Sequence, residues 1–249
     1  MPNSRIIGAV IAGMVLVVLA AGWYLFFRND APPPVDLETA VASVASPTAT
    51  VEPTQIRTST ATAAATQIPA NAYGETWVVS STGDTFAGYR IEEQLVSIGT
   101  NIAVGRTSDV TGSLEFDGEN ITAVEIEVDL TTLKSDDSRR DNQLGRRGLQ
   151  TRTFPTATFI LTAPIPIGEV PQEGVLVSAT ATGELTFHGV TQEVAIDLEG
   201  QLINGLVVIV GSTPISLPDY DIEPPVGRSV LSVSEDGTLE FQVIFEPAD

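Results

Sequence analysis

The chain has 249 residues, with 32 acidic against 12 basic side chains and a formal net charge of -20 at pH 7. That balance disfavours a nucleic-acid partner, because neutralising phosphates takes many cations. Cysteine is absent and histidine occurs once, which removes disulfide frameworks, thiol nucleophiles and thiolate metal sites and leaves too few imidazoles for a zinc centre.

Residues 6–27, IIGAVIAGMVLVVLAAGWYLFF, run 22 positions without a charge. At about 1.5 Å per residue a helix of that length reaches roughly 33 Å, enough to cross a bilayer core. Trp23, Tyr24, Phe26 and Phe27 gather at its C-terminal end as an interfacial belt, with Arg28 just beyond. The segment is expected to be a single-pass transmembrane helix holding the protein in the cell membrane. A small charge bias from Arg5 and the amino terminus places the rest outside the cytoplasm. A cleaved signal peptide, with Val18-Leu19-Ala20 as its cleavage site, is the alternative, and either way the remainder is exported. Residues 28–73 change character: positions 29–73 hold six prolines, eight threonines and eleven alanines, with no aromatic before Tyr73. This composition predicts a disordered linker with an end-to-end distance of about 35 to 40 Å.

From Gly74 to Asp249 the dominant signal is a period of two, the mark of half-buried antiparallel strands. Leu114 and Phe116 precede the turn Asp117-Gly118, and Val124, Ile126 and Val128 alternate with acidic residues after it. Leu185 and Phe187 precede a second turn at His188-Gly189, followed by Val194, Ile196 and Leu198 on one face. A third turn is expected at Asp236-Gly237, before Leu239, Phe241, Val243 and Phe245. Many short strands in sequence suggest an all-β up-and-down barrel or a sandwich. The interruption is Lys134 to Arg152, where Ser135 and Asp136 are N-cap candidates and Gly145 or Gly148 ends a short helix. Leu144 and Leu149 would anchor it across one end of the strands.

Four segments together, RTSDVTGSLEFDG (106–118), RRDNQL (139–144), TFPTATF (153–159) and GELTFHGVTQEV (183–194), resemble the YceI-like family of lipid- or polyisoprenoid-binding proteins. The resemblance implies an extended eight-stranded antiparallel, lipocalin-like barrel with a short capping helix and an apolar channel for an isoprenoid or quinone-type tail. It also implies an exported protein, and several members resemble homodimers. Two places depart from the family pattern: Ser216 and Leu217 stand where an asparagine and arginine are common, and Gln150, Thr151 and Arg152 replace acidic and aromatic residues.

An eight-stranded barrel is either filled by its own side chains or just wide enough for one slender ligand. Leu114, Phe116, Val124, Ile126, Val128, Phe159, Leu161, Leu185, Phe187, Ile196, Phe241 and Val243, with Ala157, Val207 and Ile209, form the candidate lining. Periodicity alone reads these residues as an ordinary packed core, and the resemblance favours the channel. Burial of an apolar chain contributes about 0.8 kcal/mol per methylene, so holding a tail needs no reaction, metal or cofactor. His188, beside Gly189, reads as a turn residue; no G-x-S-x-G elbow supports a hydrolase. Six of the twelve basic residues, Lys134, Arg139, Arg140, Arg146, Arg147 and Arg152, cluster within nineteen positions. They are a solvated face, a landing patch for anionic lipid or, at Arg140, Arg146 and Arg147, contacts for a ligand's head group. Asp136, Asp137 and Asp141 match no calcium loop and read as a solvated acidic cap.

Overall fold

The computed structural model describes residues 31–45, 76–97, 99–168 and 171–248. Strands β1 (Thr76–Val79) and β2 (Phe86–Leu95) lie end to end along one edge of the last strand, β12 (Val230–Pro247). On their other side β3 (Gly99–Thr107) and β4 (Val110–Phe116) continue one another in the same way, β3 against β2 and β4 against β1. Each pair is therefore one long, bent strand. The bend between β1 and β2 stays tied to β12, since Ser80 N donates to Ile244 O at 2.8 Å and Gln242 Nε2 to Asp84 O at 2.6 Å.

The chain then meanders through β5 (Asn120–Asp129), β7 (Thr156–Leu161), β9 (Leu176–Phe187), β10 (Val190–Ile203) and β11 (Leu206–Ser216) to β12. All neighbours are antiparallel, and β12 returns to β1 and β2, closing an eight-stranded up-and-down barrel. Turn chemistry sets the registers. At Asp117-Gly118 the Asp117 carboxylate accepts from the backbone N–H of Glu119 and Asn120. His188-Gly189 and Asn204-Gly205 have positive φ at both positions, as two-residue turns matched to strand twist require.

The third expected turn is corrected: Asp236-Gly237 lies inside β12, which runs unbroken from Val230 to Pro247. There the register against β2 shifts between Val233 and Gly237, so the Asp-Gly pair marks a bulge instead of a reversal. Between β5 and β7 the chain forms the cap: a 3-10 turn (Leu130–Thr132), β6 (Lys134–Ser135) against β3, a helix (Ser138–Gln143) and a π-type turn (Leu144–Gly148). The helix N-cap is Asp137, not Ser135 or Asp136, because its carboxylate accepts from Arg139 N at 2.8 Å. Leu149 is buried beneath this cap, with Leu144 packed beside it. At the opposite end β8 (Ile165–Pro166) pairs with the start of β5.

The expectation of an irregular linker across 28–73 is corrected over residues 31–45. Leu37–Val44 form a helix, α1, whose N-cap Asp36 accepts from Thr39 N at 3.1 Å. Leu37, Ala40, Val41 and Val44 make a stripe at helical spacing, and it covers Val208, Val210 and Ile244 on the outer face of β11 and β12. Ahead of α1, the carbonyls of Pro32 and Pro33 accept from Arg90 (2.7 Å) and Arg106 (3.0 Å). Both arginines also pair with Glu240, which is only 2% exposed. Arg106 reaches Glu240 across Gly88, where a Cβ would fall 2.2 Å from Gly105 O. The expected transmembrane segment 6–27 and the rest of the linker lie outside the described residues; among the described residues no helix is long and apolar enough to cross a membrane.

Candidate binding cavity

The barrel interior is hollow. One cavity of about 170 Å³ lies toward the cap and another of about 100 Å³ toward the opposite end. They meet at a waist made by Leu114, Ile121, Ile165, Leu198 and Ile209, which line both. The walls come from the inward positions of alternating strands. In β11, Val207 and Ile209 face the lumen while Val208 and Val210 face α1. The cap supplies the upper wall through Leu130, Leu133 and Leu149, and Ile165, Ile167 and Pro171 supply the lower one.

Three aromatic rings are kept against the wall by glycines. The Tyr89 ring lies over its cross-strand partner Gly105, and the Phe241 ring over its partner Gly211. The Phe159 ring lies over Gly183. A Cβ on those glycines would meet ring atoms at 2.4, 2.6 and 2.5 Å respectively. Strand glycines commonly mark such close approaches. Here the rings lie flat along the sheet, which leaves the lumen open.

The segment 87–245 matches the model of the YceI-like domain. The chain belongs to the YceI-like family. A UPF0312 protein of Vibrio parahaemolyticus is 30% identical over 183 residues, covering 68% of this chain and 89% of that relative. A UPF0312 protein of Pseudomonas syringae pv. tomato is 28% identical over 165 residues, covering 63% and 79%. Among solved structures, a polyisoprenoid-binding domain from Saccharophagus degradans superposes with a TM-score of 0.54 at 13% identity, over 70% of this chain and 99% of that one. BcnA of Burkholderia cenocepacia gives 0.50 at 16%, over 64% and 94%. At these identities the structural likeness speaks for the fold alone.

Within this YceI-like barrel, Leu114, Val124, Ile126, Val128, Phe159, Leu185, Phe187, Ile196, Phe241 and Val243 line the capped cavity, and Phe116 lines the other. Leu161, expected on the same lining, lies on neither wall. It is the last residue of β7, and the Phe159 ring, turned over Leu161's partner Gly183, forms the wall at that level. Residues that strand alternation missed include Tyr89, Ile121, Ile165 and the three cap leucines. The cap leucines sit in irregular chain, where no period announces which side faces inward.

Polar groups gather where β2 meets the cap. Glu93, 3% exposed, accepts from Arg140 Nη2 at 2.5 Å and from Asn101 Nδ2 at 2.9 Å. Arg140 Nη1 also donates to Ser135 Oγ at 3.1 Å and to Asp136. Burial opposes the Arg140 charge, but the hydrogen bonds and charges of Glu93 and Asp136 outweigh it and hold the guanidinium protonated above its ordinary value. Its charge is therefore already neutralised from two sides. Arg146 and Arg147 are not brought to it; they lie exposed on the outer surface of the cap. Tyr89 sits on the cavity wall beside this knot. Burial pushes its phenol well above the usual tyrosine range, with Arg140 opposing and Asp141 adding to the rise. Among the described residues its hydroxyl has no hydrogen-bond partner.

His188 is a clasp. Its Nδ1 donates to Tyr220 O at 3.0 Å, leaving Nε2 to accept from Gln150 at 3.2 Å. Its ring packs on Phe154 with centroids 4.4 Å apart. The histidine thus ties the β9–β10 turn to the cap and to the segment after β11. The acidic cap is also committed. Asp137 caps its helix, Asp136 pairs with Arg140, and Asp141 accepts from Ser135 N and Oγ. Among the described residues no group of three potential ligands is placed to hold a metal ion.

Proposed function

We propose that this YceI-like protein holds the tail of a prenyl lipid inside its barrel, with no chemical step, and transports or stores it outside the cytoplasm. The carrying observation is the pair of adjacent apolar cavities that share the lining of the waist. Lining residues on β9 run from Val177 to Phe187, about 33 Å along a strand at about 3.3 Å per residue. With a strand tilt of about 40°, that is roughly 25 Å along the axis. A tail buried over such a length gains about 0.8 kcal/mol per methylene. A domain of the same fold from Saccharophagus degradans is described as polyisoprenoid-binding, and the prenyl tail proposed here is the same ligand class.

The head group is proposed to be small and uncharged, of quinone or polyprenol type, seated at the capped end. Arg140 is committed to Glu93 and Asp136, so among the described residues no uncompensated cation faces the lumen for a pyrophosphate, whereas the Tyr89 hydroxyl, without a partner among them, can donate to a carbonyl or hydroxyl. Membrane attachment through residues 6–27 belongs to the same proposal. Native mass spectrometry with organic extraction, on protein purified without detergent from its producing cell, tests the reading. A stoichiometric prenyl lipid is expected, and Tyr89→Phe should lower quinone retention about fivefold, the worth of one hydrogen bond. A clean unliganded mass that persists after incubation with quinones and polyprenols would remove the carrier in favour of an interaction module.

A further inference from the structure

The surface over the cap combines free cations with exposed apolar side chains. Three segments are bonded into one face there. Gln143 Nε2, in the cap helix, donates to Val226 O at 2.8 Å; Gly227 N donates to Val230 O at 3.2 Å; Val96 N, at the tip of the β2–β3 hairpin, donates to Ser229 O at 3.0 Å. Val96, Val226 and Leu231 project from this face, 59%, 54% and 61% exposed. Beside them Arg139, Arg146, Arg147 and Arg228 are exposed. None of these four makes an ion pair among the described residues, whereas Arg90, Arg106 and Arg140 are all paired with carboxylates. The neighbouring acids Asp136, Asp137 and Asp141 are engaged within the cap itself, leaving Asp221 and Glu223 as the exposed carboxylates of the adjoining loop.

We propose that this face docks the barrel on an anionic lipid bilayer, Arg146 and Arg147 on the head groups and Val226, Leu231 and Val96 among them. In a chain of net charge -20, an unpaired cluster of cations beside protruding apolar side chains matches the two-part chemistry of such a surface. Leu133 and Leu149, from the same cap, form the cavity wall directly beneath. Docking therefore brings the head-group end of the cavity to the bilayer from which a prenyl lipid is drawn. The inference rests on the carrier reading and adds where the lipid enters. The opposite end also exposes apolar side chains, Val175 and Leu176, but among the described residues its loops carry no arginine or lysine, so it lacks the electrostatic half.

Because the chain has no cysteine, single Val226→Cys, Leu231→Cys and Val175→Cys variants can each carry one environment-sensitive fluorophore. The full chain is reconstituted in vesicles of phosphatidylcholine with or without phosphatidylglycerol. Labels at 226 and 231 should shift to the blue and be quenched by lipid-borne quenchers only when phosphatidylglycerol is present, while the label at 175 stays in water. Arg146→Glu with Arg147→Glu should weaken that docking at least about tenfold, as should high salt. Labels at 226 and 231 that remain in water, or immersion indifferent to anionic lipid, overturn the proposal. A spectral change that appears only with soluble envelope protein would likewise overturn it and assign the face to a protein partner. Lipid extraction from the same vesicles separates the two readings: immersed labels over an empty barrel remove the carrier alone, and a filled barrel with labels in water removes the docking face alone.

Discussion

Glu93 and Arg140 show how a single residue can both support the cap and limit the ligand. Glu93 is buried on the inner side of β2, and its compensation comes from Arg140 across the cap boundary at 2.5 Å. Replacing Arg140 with methionine should cost about 3–5 kcal/mol, because a buried carboxylate loses its partner. Adding Glu93→Met should recover most of that loss. Denaturant titrations of both single variants and the double one check the coupling. The tyrosines give a second prediction at this scale. Burial raises the phenols of Tyr89 and Tyr220 above their unfolded values. A raised folded value makes their contribution complete below about pH 10 and lost as pH climbs beyond it, since only the unfolded chain then ionises freely. Thermal midpoints should fall across the alkaline range, and Tyr89→Phe should flatten that fall. Replacing Tyr220, whose buried hydroxyl has no partner among the described residues, with phenylalanine should raise stability at neutral pH.

Among the elements, the glycine-backed strands decide whether the barrel holds a cavity or a packed core. In Gly211→Ala the new Cβ falls 2.6 Å from the Phe241 ring, and in Gly183→Ala 2.5 Å from both the Phe159 ring and the Ile160 carbonyl oxygen. In Gly211→Ala the Phe241 ring has to swing off the wall into the lumen, so bound lipid should drop about tenfold while stability falls by only about 1–3 kcal/mol; in Gly183→Ala the clash with the Ile160 carbonyl adds a backbone shift and a larger stability loss. Loss of stability with lipid retained would mean that the rings do not gate the space. Strand alternation in the sequence locates the inner face well, since Leu114, Ile126, Phe187 and Phe241 all point inward, but alternation says nothing of volume. The glycines at 105, 183 and 211 hold that information, and they are legible only once their aromatic partners across the sheet are known. Helix α1 escapes notice for a related reason. Its apolar stripe lasts two turns inside an Ala/Thr/Pro-rich segment, and its necessity shows instead in the unbroken apolar run Leu206–Val210, which needs cover on both faces. Leu37→Asp should therefore uncover Val208, Val210 and Ile244, lowering stability by about 2–3 kcal/mol and promoting association, read by calorimetry and light scattering.

At the scale of the whole molecule, closure into a barrel divided by a waist makes tail length a structural variable. A short tail fits the capped cavity alone, whereas a longer one has to pass Leu114, Ile121, Ile165, Leu198 and Ile209 to reach the second cavity. Ile209→Trp adds a bulky ring at that passage while leaving Tyr89 and the cap leucines untouched. Each methylene refused entry forfeits about 0.8 kcal/mol, so the variant should retain short-chain quinones at near native affinity and lose long-chain ones by more than about tenfold. Ala181→Phe, placed within the capped cavity, should lose both. Competition between quinones of graded tail length, read by native mass spectrometry on the two variants, distinguishes the cases. If Ile209→Trp binds all lengths as the native protein does, the tail ends above the waist and the lower cavity plays no part in holding it.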